Sequence, residues 1–92
     1  MTCTEQRTLK IVNEKGLHAR ASAKVVEVVE GFDATAEISR DGLSASGDSI
    51  MGLLMLAASK GTEIDVMTQG RDAVALLDAI EELVAGRFGE EC

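Results

Sequence analysis

Thr8-Leu9-Lys10-Ile11-Val12-Asn13-Glu14-Lys15-Gly16-Leu17-His18-Ala19-Arg20-Ala21-Ser22-Ala23-Lys24-Val25-Val26-Glu27-Val28-Val29-Glu30-Gly31 changes its hydrophobic period once, and that change decides the fold class. Over residues 8–12 the period is two. Leu9 and Ile11 share one face and Lys10 takes the other, which predicts a strand. Residues 13–17 read as a loop around Gly16. From Ala21 the spacing becomes helical, and Ala21, Val25, Val28 and Val29 form one apolar stripe. Gly31 and Phe32 end it: glycine is free to take a left-handed conformation, and Phe32 folds back on the last turn.

The same reading extends towards the C-terminus. Residues 35–40 predict a strand with Ala36 and Ile38 inward. Asp41-Gly42 is a tight-turn signal, and residues 43–46 form the return strand. Gly47-Asp48-Ser49 opens a short helix from Ile50 to about Ala57, with Ser49 and Asp48 both suited to cap it. Ile50, Leu53 and Ala57 are expected to face the core. Gly52 weakens this helix but permits close approach of a neighbour. After Gly61, residues 62–68 alternate again, with Ile64, Val66 and Thr68 on one face. Gly70-Arg71-Asp72 caps a last helix whose stripe is Ala73, Leu77, Ile80 and Val84, flanked by Leu76 and Leu83. Gly86 and Phe88 repeat the helix-stop pattern.

The order is strand, helix, strand, strand, helix, strand, helix. This is an α+β pattern in which helices cover the single apolar face of one sheet. It suggests a ferredoxin-like split βαβ arrangement with an extra helix. The pattern does not fix the strand order.

A chain of 92 residues is enough for one domain, residues 1–92, with a modest core and little room for an internal cavity. The net charge of −7 argues against nucleic acid and against an anionic membrane surface. The few cations are informative. Lys15, Arg20 and Lys24 fall around the single histidine, a local cationic spot suited to a small anionic group. Cys3 and Cys92 stand near opposite ends without a CxxC pair, so free thiols in a reducing compartment are expected. The N-terminus has no apolar signal-peptide core, and no stretch reaches the ~20 apolar residues of a membrane span. A cytoplasmic protein is expected.

His18 falls at the junction of loop and helix. The first N–H groups of a helix lack internal partners, and the helix dipole is positive there. Such a place binds anions, disfavours a protonated ring, and leaves a nucleophilic nitrogen. Arg20 can offer a forked donor to phosphate oxygens. Lys24 reads as a solvated charge. On this chemistry alone, a polar surface residue or a cap accounts for His18 as well as a reactive one. No second histidine or carboxylate pair at ligand spacing suggests a metal, and no nucleophile–base–orienter set can be assembled. In the second helix Met51, Leu54 and Met55 form either plain core packing or an adaptable docking patch. A phosphoryl group on Ser49 would be tolerated at a helix start but would obstruct an acidic partner beside that patch.

Gly16-Leu17-His18-Ala19-Arg20-Ala21-Ser22-Ala23 resembles the phosphorylation-site motif of HPr, the histidine-containing phosphocarrier of bacterial phosphotransferase systems. Asp48-Ser49-Ile50-Met51-Gly52 resembles that family's second signature, around its regulatory serine. Gly31-Phe32-Asp33-Ala34, the Asp41-Gly42 turn and Lys60-Gly61-Thr62 also fit, so the resemblance covers residues 8–88. It implies an open-faced β-sandwich of order βαββαβα, a four-stranded antiparallel sheet with three helices on one face.

The resemblance also implies a carrier and not a stand-alone enzyme, with no cofactor. His18 would be phosphorylated on Nδ1 by phosphorylated enzyme I, which draws on phosphoenolpyruvate, and Arg20 would stabilise the phosphate. The group would pass to a IIA-type protein. Ala19, Ala21, Lys24, Ile50, Met51, Leu54 and Met55 would form the docking surface of a monomer. Ser49 matches the serine modified by HPr kinase in some lineages. The motif departs from the family at Ala21, where proline is usual. The Gly-Phe-Asp-Ala segment, Leu53-Leu54-Met55-Leu56 and Gly86-Arg87-Phe88 resemble the nitrogen-related branch. The alternatives are a regulatory module of the same fold switched at Ser49, and a small ferredoxin-like ligand-binding domain.

Overall fold

The computed structural model describes residues 3–91. The elements are β1 (Cys3–Lys10), α1 (Ala19–Glu30), β2 (Thr35–Arg40), β3 (Leu43–Ser46), α2 (Ile50–Met55), β4 (Glu63–Gly70) and α3 (Ala73–Ala85), followed by a turn at Arg87–Gly89. β1 begins at Cys3 and not at Thr8 because it pairs with β4 along its whole length, from Cys3 opposite Gly70 to Lys10 opposite Glu63. Backbone pairing carries the strand through a polar stretch that shows no hydrophobic alternation. Ile11 leaves the ladder but stays fully buried, its N–H donating to the Thr62 carbonyl at 2.9 Å.

The sheet order is β1-β4-β2-β3, with every neighbouring pair antiparallel. β4 therefore lies between β1 and β2, so the β1–α1–β2 crossover is split, as the pattern suggests. The edges are β1 and β3. This is the open-faced sandwich: α1, α2 and α3 lie on the apolar face of the sheet. Leu9, Ile38, Ile64 and Val66 from the strands meet Val25, Leu53, Leu76, Leu77 and Ile80 from the helices in one buried cluster. Thr68 is also fully buried, and its hydroxyl donates to the Ala73 carbonyl at 2.7 Å, which satisfies it and ties β4 to α3. Gly52 has a packing reason: a Cβ there would lie 3.1 Å from the Ala45 Cβ, so α2 can settle closely on β3.

Several local details differ from the sequence reading. Gly31 closes α1 with φ −83°, a right-handed conformation, because its N–H bonds to the Val28 carbonyl in a tightened last turn. Gly86 is similar at φ −85°. The left-handed residues at that end are Arg87, Phe88 and Gly89, with φ of 57°, 53° and 80°. Ala57 is exposed, not core-facing. α2 stops at Met55, Ala57 takes φ 51°, and Leu56 and Ala58 fill the core beside it. Ile50 also stands largely out of the core, at 39% exposed. Ser49 caps α2 through its hydroxyl oxygen, while Asp48 accepts from the Ser46 hydroxyl. Asp72 makes no capping bond to α3; its carboxylate accepts from the Asp33 N–H at 2.8 Å. Cys3 is a free, exposed thiol, and Cys92 lies outside the described residues. Among the described residues no helix is long and apolar enough to cross a membrane.

Candidate functional site

The loop between β1 and α1 is fastened before it reaches His18. Gly16 takes φ +65°, and a Cβ there would lie 2.4 Å from the Ala58 carbonyl oxygen and 2.8 Å from the Ser59 Cα. Only glycine allows this approach, which lets the Leu17 N–H donate to the Ala58 carbonyl at 2.8 Å. Leu17 is then buried, and the buried Ser22 hydroxyl donates to its carbonyl. Gly16→Ala combines a left-handed backbone with a collision against main chain. It is expected to cost about 2–3 kcal/mol, measured as a lower urea midpoint at unchanged slope.

His18 is the N-cap of α1, with extended backbone at φ −80° and ψ −175°. Its carbonyl accepts the first helical bond, from the Ser22 N–H at 2.8 Å. Its Nδ1 accepts the Arg20 backbone N–H at 3.2 Å. The Ala19 and Ala21 N–H groups have no acceptor among the described residues, as expected at a helix start. The other ring nitrogen, Nε2, meets Glu90 Oε2. A backbone N–H can only donate and a carboxylate can only accept. The bonding pattern therefore assigns the ring proton to Nε2 and a lone pair to Nδ1.

Glu90 is held in turn. Its Oε1 accepts from Asn13 Nδ2 at 2.9 Å, and the same amide donates to the Gly16 carbonyl at 2.9 Å. Asn13 is fully buried. These donors, Asn13 first and then His18, hold the Glu90 carboxyl below the usual carboxylate range. The carboxylate's contribution to stability is therefore present above the ordinary carboxylate pKa and is lost as pH falls through the depressed folded value.

The ring opens on a cleft of about 510 Å³ lined by Glu14, Lys15, His18, Ala19, Arg20, Glu90 and Glu91. The cationic spot is thus mixed in charge. Lys15 and Arg20 share the cleft with three carboxylates, of which Glu14 is paired with Lys60 at 3.1 Å. The Arg20 side chain is exposed and makes no ion pair among the described residues. Lys24 is not a solvated charge: its ammonium donates to the Phe88 carbonyl and ties α1 to the C-terminal turn.

Ala21 is fully buried in the core cluster and cannot contribute side-chain surface to a docking face. Ala19 is exposed. Met51 and Met55 are the most exposed large apolar residues, at 71% and 75%, with Ile50 beside them and Leu54 half-buried. Ser49 is half-buried, its hydroxyl accepting the Gly52 N–H at 3.1 Å. Glu90 and Asn13 escape the sequence reading. Neither belongs to a periodic pattern or a motif, and they are brought together across 77 residues of chain.

The family model of the PTS HPr component phosphorylation site matches residues 5–86. Phosphocarrier protein HPr of Cupriavidus necator is 44% identical over 85 residues, which cover 92% of this chain and 96% of the relative. Phosphocarrier protein NPr of Shewanella violacea is 42% identical over 85 residues, covering 92% and 93%. Among solved structures, HPr-C-His from Thermoanaerobacter tengcongensis superposes with a TM-score of 0.90 at 31% identity, covering 96% of this chain and 99% of that one. HPr from Bacillus anthracis superposes with a TM-score of 0.85 at 33% identity, covering 89% and 98%. Sequence and fold agree over nearly the whole length, and the chain belongs to the HPr family of phosphotransferase-system phosphocarriers, which are carriers and not stand-alone enzymes.

Proposed function

We propose that the chain accepts a phosphoryl group on His18 Nδ1 from phosphorylated enzyme I, charged by phosphoenolpyruvate, and passes it to a IIA-type protein. The observation that carries this reading is the state of the ring. Nδ1 holds an unprotonated lone pair at the start of α1, and the proton sits on Nε2 against Glu90. A phosphoryl group arriving at Nδ1 meets the unpaired N–H groups of the helix start and the positive end of its dipole. The exposed Arg20 guanidinium, without an ion-pair partner among the described residues, supplies a forked donor to the phosphate oxygens. Met51 and Met55, with Ile50, Leu54, Ala19 and the stem of Lys24, form the docking surface for successive partners. Flexible, polarisable methionines suit a face that meets more than one protein. The chain acts as one domain, residues 1–92, as a cytoplasmic monomer. HPr- and NPr-named relatives match at similar identity, which supports a carrier role in sugar uptake or in nitrogen or carbon regulation.

The test is incubation with enzyme I and labelled phosphoenolpyruvate. Label that is acid-labile and base-stable is expected. In a separate incubation with an HPr kinase and its phosphoryl donor, an acid-stable mass increase lost in Ser49→Ala, with no histidine labelling from phosphoenolpyruvate, would instead favour a regulatory module switched at Ser49.

A further inference from the structure

The carrier reading concerns Nδ1, but the structure also invests several groups in the opposite side of the ring. After α3 the chain does not fray. Arg87, Phe88 and Gly89 take three successive left-handed conformations, two of them costly for residues with a Cβ. Phe88 is 1% exposed within the core, its carbonyl accepts from Lys24 Nζ, and the Glu90 N–H bonds the Arg87 carbonyl at 2.9 Å. The product of this turn is one carboxylate placed between the buried amide of Asn13 and Nε2 of His18.

We propose that Glu90 is the positioning residue of His18: it accepts the Nε2–H, fixes the tautomer that leaves Nδ1 nucleophilic, and is delivered by the Arg87–Gly89 turn. This rests on the reading that His18 carries the phosphoryl group. In the forward step the Nδ1 lone pair forms the N–P bond. The bond from phosphorus to the donor breaks, and its electron pair stays on the donor. Nε2 keeps its proton, so the ring becomes a phosphorylated imidazolium facing the Glu90 carboxylate. In the onward step the N–P pair returns to Nδ1 and the ring is neutral again. No proton enters or leaves in either direction. Without Glu90 only the 3.2 Å bond from the Arg20 N–H to Nδ1 holds the tautomer, and a ring that swings off that bond and carries its proton on Nδ1 cannot attack.

The experiment uses the full chain with 15N-labelled histidine, in wild type and Glu90→Ala. Long-range proton–nitrogen spectra of the unphosphorylated ring are expected to show the Nε2–H tautomer in wild type and a mixture in the variant. Backbone amide spectra establish that both are folded. Phosphoryl uptake from enzyme I is expected to slow by about tenfold in the variant, as when the partner of a working histidine is removed from a half-exposed site. Identical ring spectra in the two proteins overturn the proposal. A wild-type chain that takes up no phosphoryl group contradicts the carrier reading, whereas the ring spectra judge Glu90 independently of phosphorylation.

Discussion

His18→Ala is expected to take phosphoryl uptake from enzyme I to background while leaving the chain folded. His18 is the only histidine, so no second imidazole can take its place. The effect on activity is far larger than the effect on stability. Alanine loses one capping bond, from the Arg20 N–H to Nδ1, and the ring's bond to Glu90. Loss of an N-cap costs about 1 kcal/mol. A domain of this size is expected to hold about 5–14 kcal/mol in total, so the variant remains native. The measurement is label incorporation beside a urea unfolding curve. Retained labelling would remove His18 from the mechanism. Unfolding of the variant would show that the cap contributes far more than a cap normally does.

Phe88→Ala is expected to produce the largest loss of stability, about 3–5 kcal/mol, as for other fully buried phenylalanines. Phe88 is among the largest fully buried side chains in the core, and it takes φ +53° to get there. Its burial offsets the strain of the turn around it. Once the ring is gone, no core burial offsets the left-handed conformations of residues 87 and 88, and the remaining bonds from Lys24 and within the turn do not hold the segment in place. Glu90 then leaves Asn13 and His18, because the same turn delivers it. The variant should therefore unite two losses: a lower urea midpoint, and the mixed imidazole tautomers expected of Glu90→Ala. A Phe88→Ala protein that keeps the wild-type ring spectrum would break the link between the C-terminal turn and the site.

The parts of the fold that could be read from the chain are those set by neighbours in sequence. β2 and β3 match their expected bounds because Asp41 and Gly42 both adopt positive φ and the flanking residues alternate cleanly. The helix start near His18 is legible because the loop around Gly16 gives way to a helical apolar stripe from Ala21. What was not legible is tertiary. β1 reaches back to Cys3 only because β4 is there to pair with it. Gly31 and Gly86 signal helix ends correctly but keep negative φ, Gly31 through a tightened bond to the Val28 carbonyl and Gly86 through a regular helical bond to the Glu82 carbonyl. Ala21 continues the helical stripe and is buried for that reason, which removes it from the docking surface that the motif implies. The strand order needs long-range pairing, which periodicity does not carry; the resemblance implies the antiparallel open-faced sandwich, and the structure gives the order β1-β4-β2-β3. At the site, His18 and Arg20 were readable as a local pair. Glu90 was not, because a contact spanning 72 residues leaves no periodic trace.

Nuclear magnetic resonance of the 15N-histidine chain, phosphorylated by enzyme I and phosphoenolpyruvate, tests the central claim most directly. The account predicts one phosphoryl group per chain, with phosphorus coupled to Nδ1 of His18 and the proton retained on Nε2. Phosphorus coupled to Nε2, or phosphate carried on Ser49 with an unmodified imidazole, would contradict it.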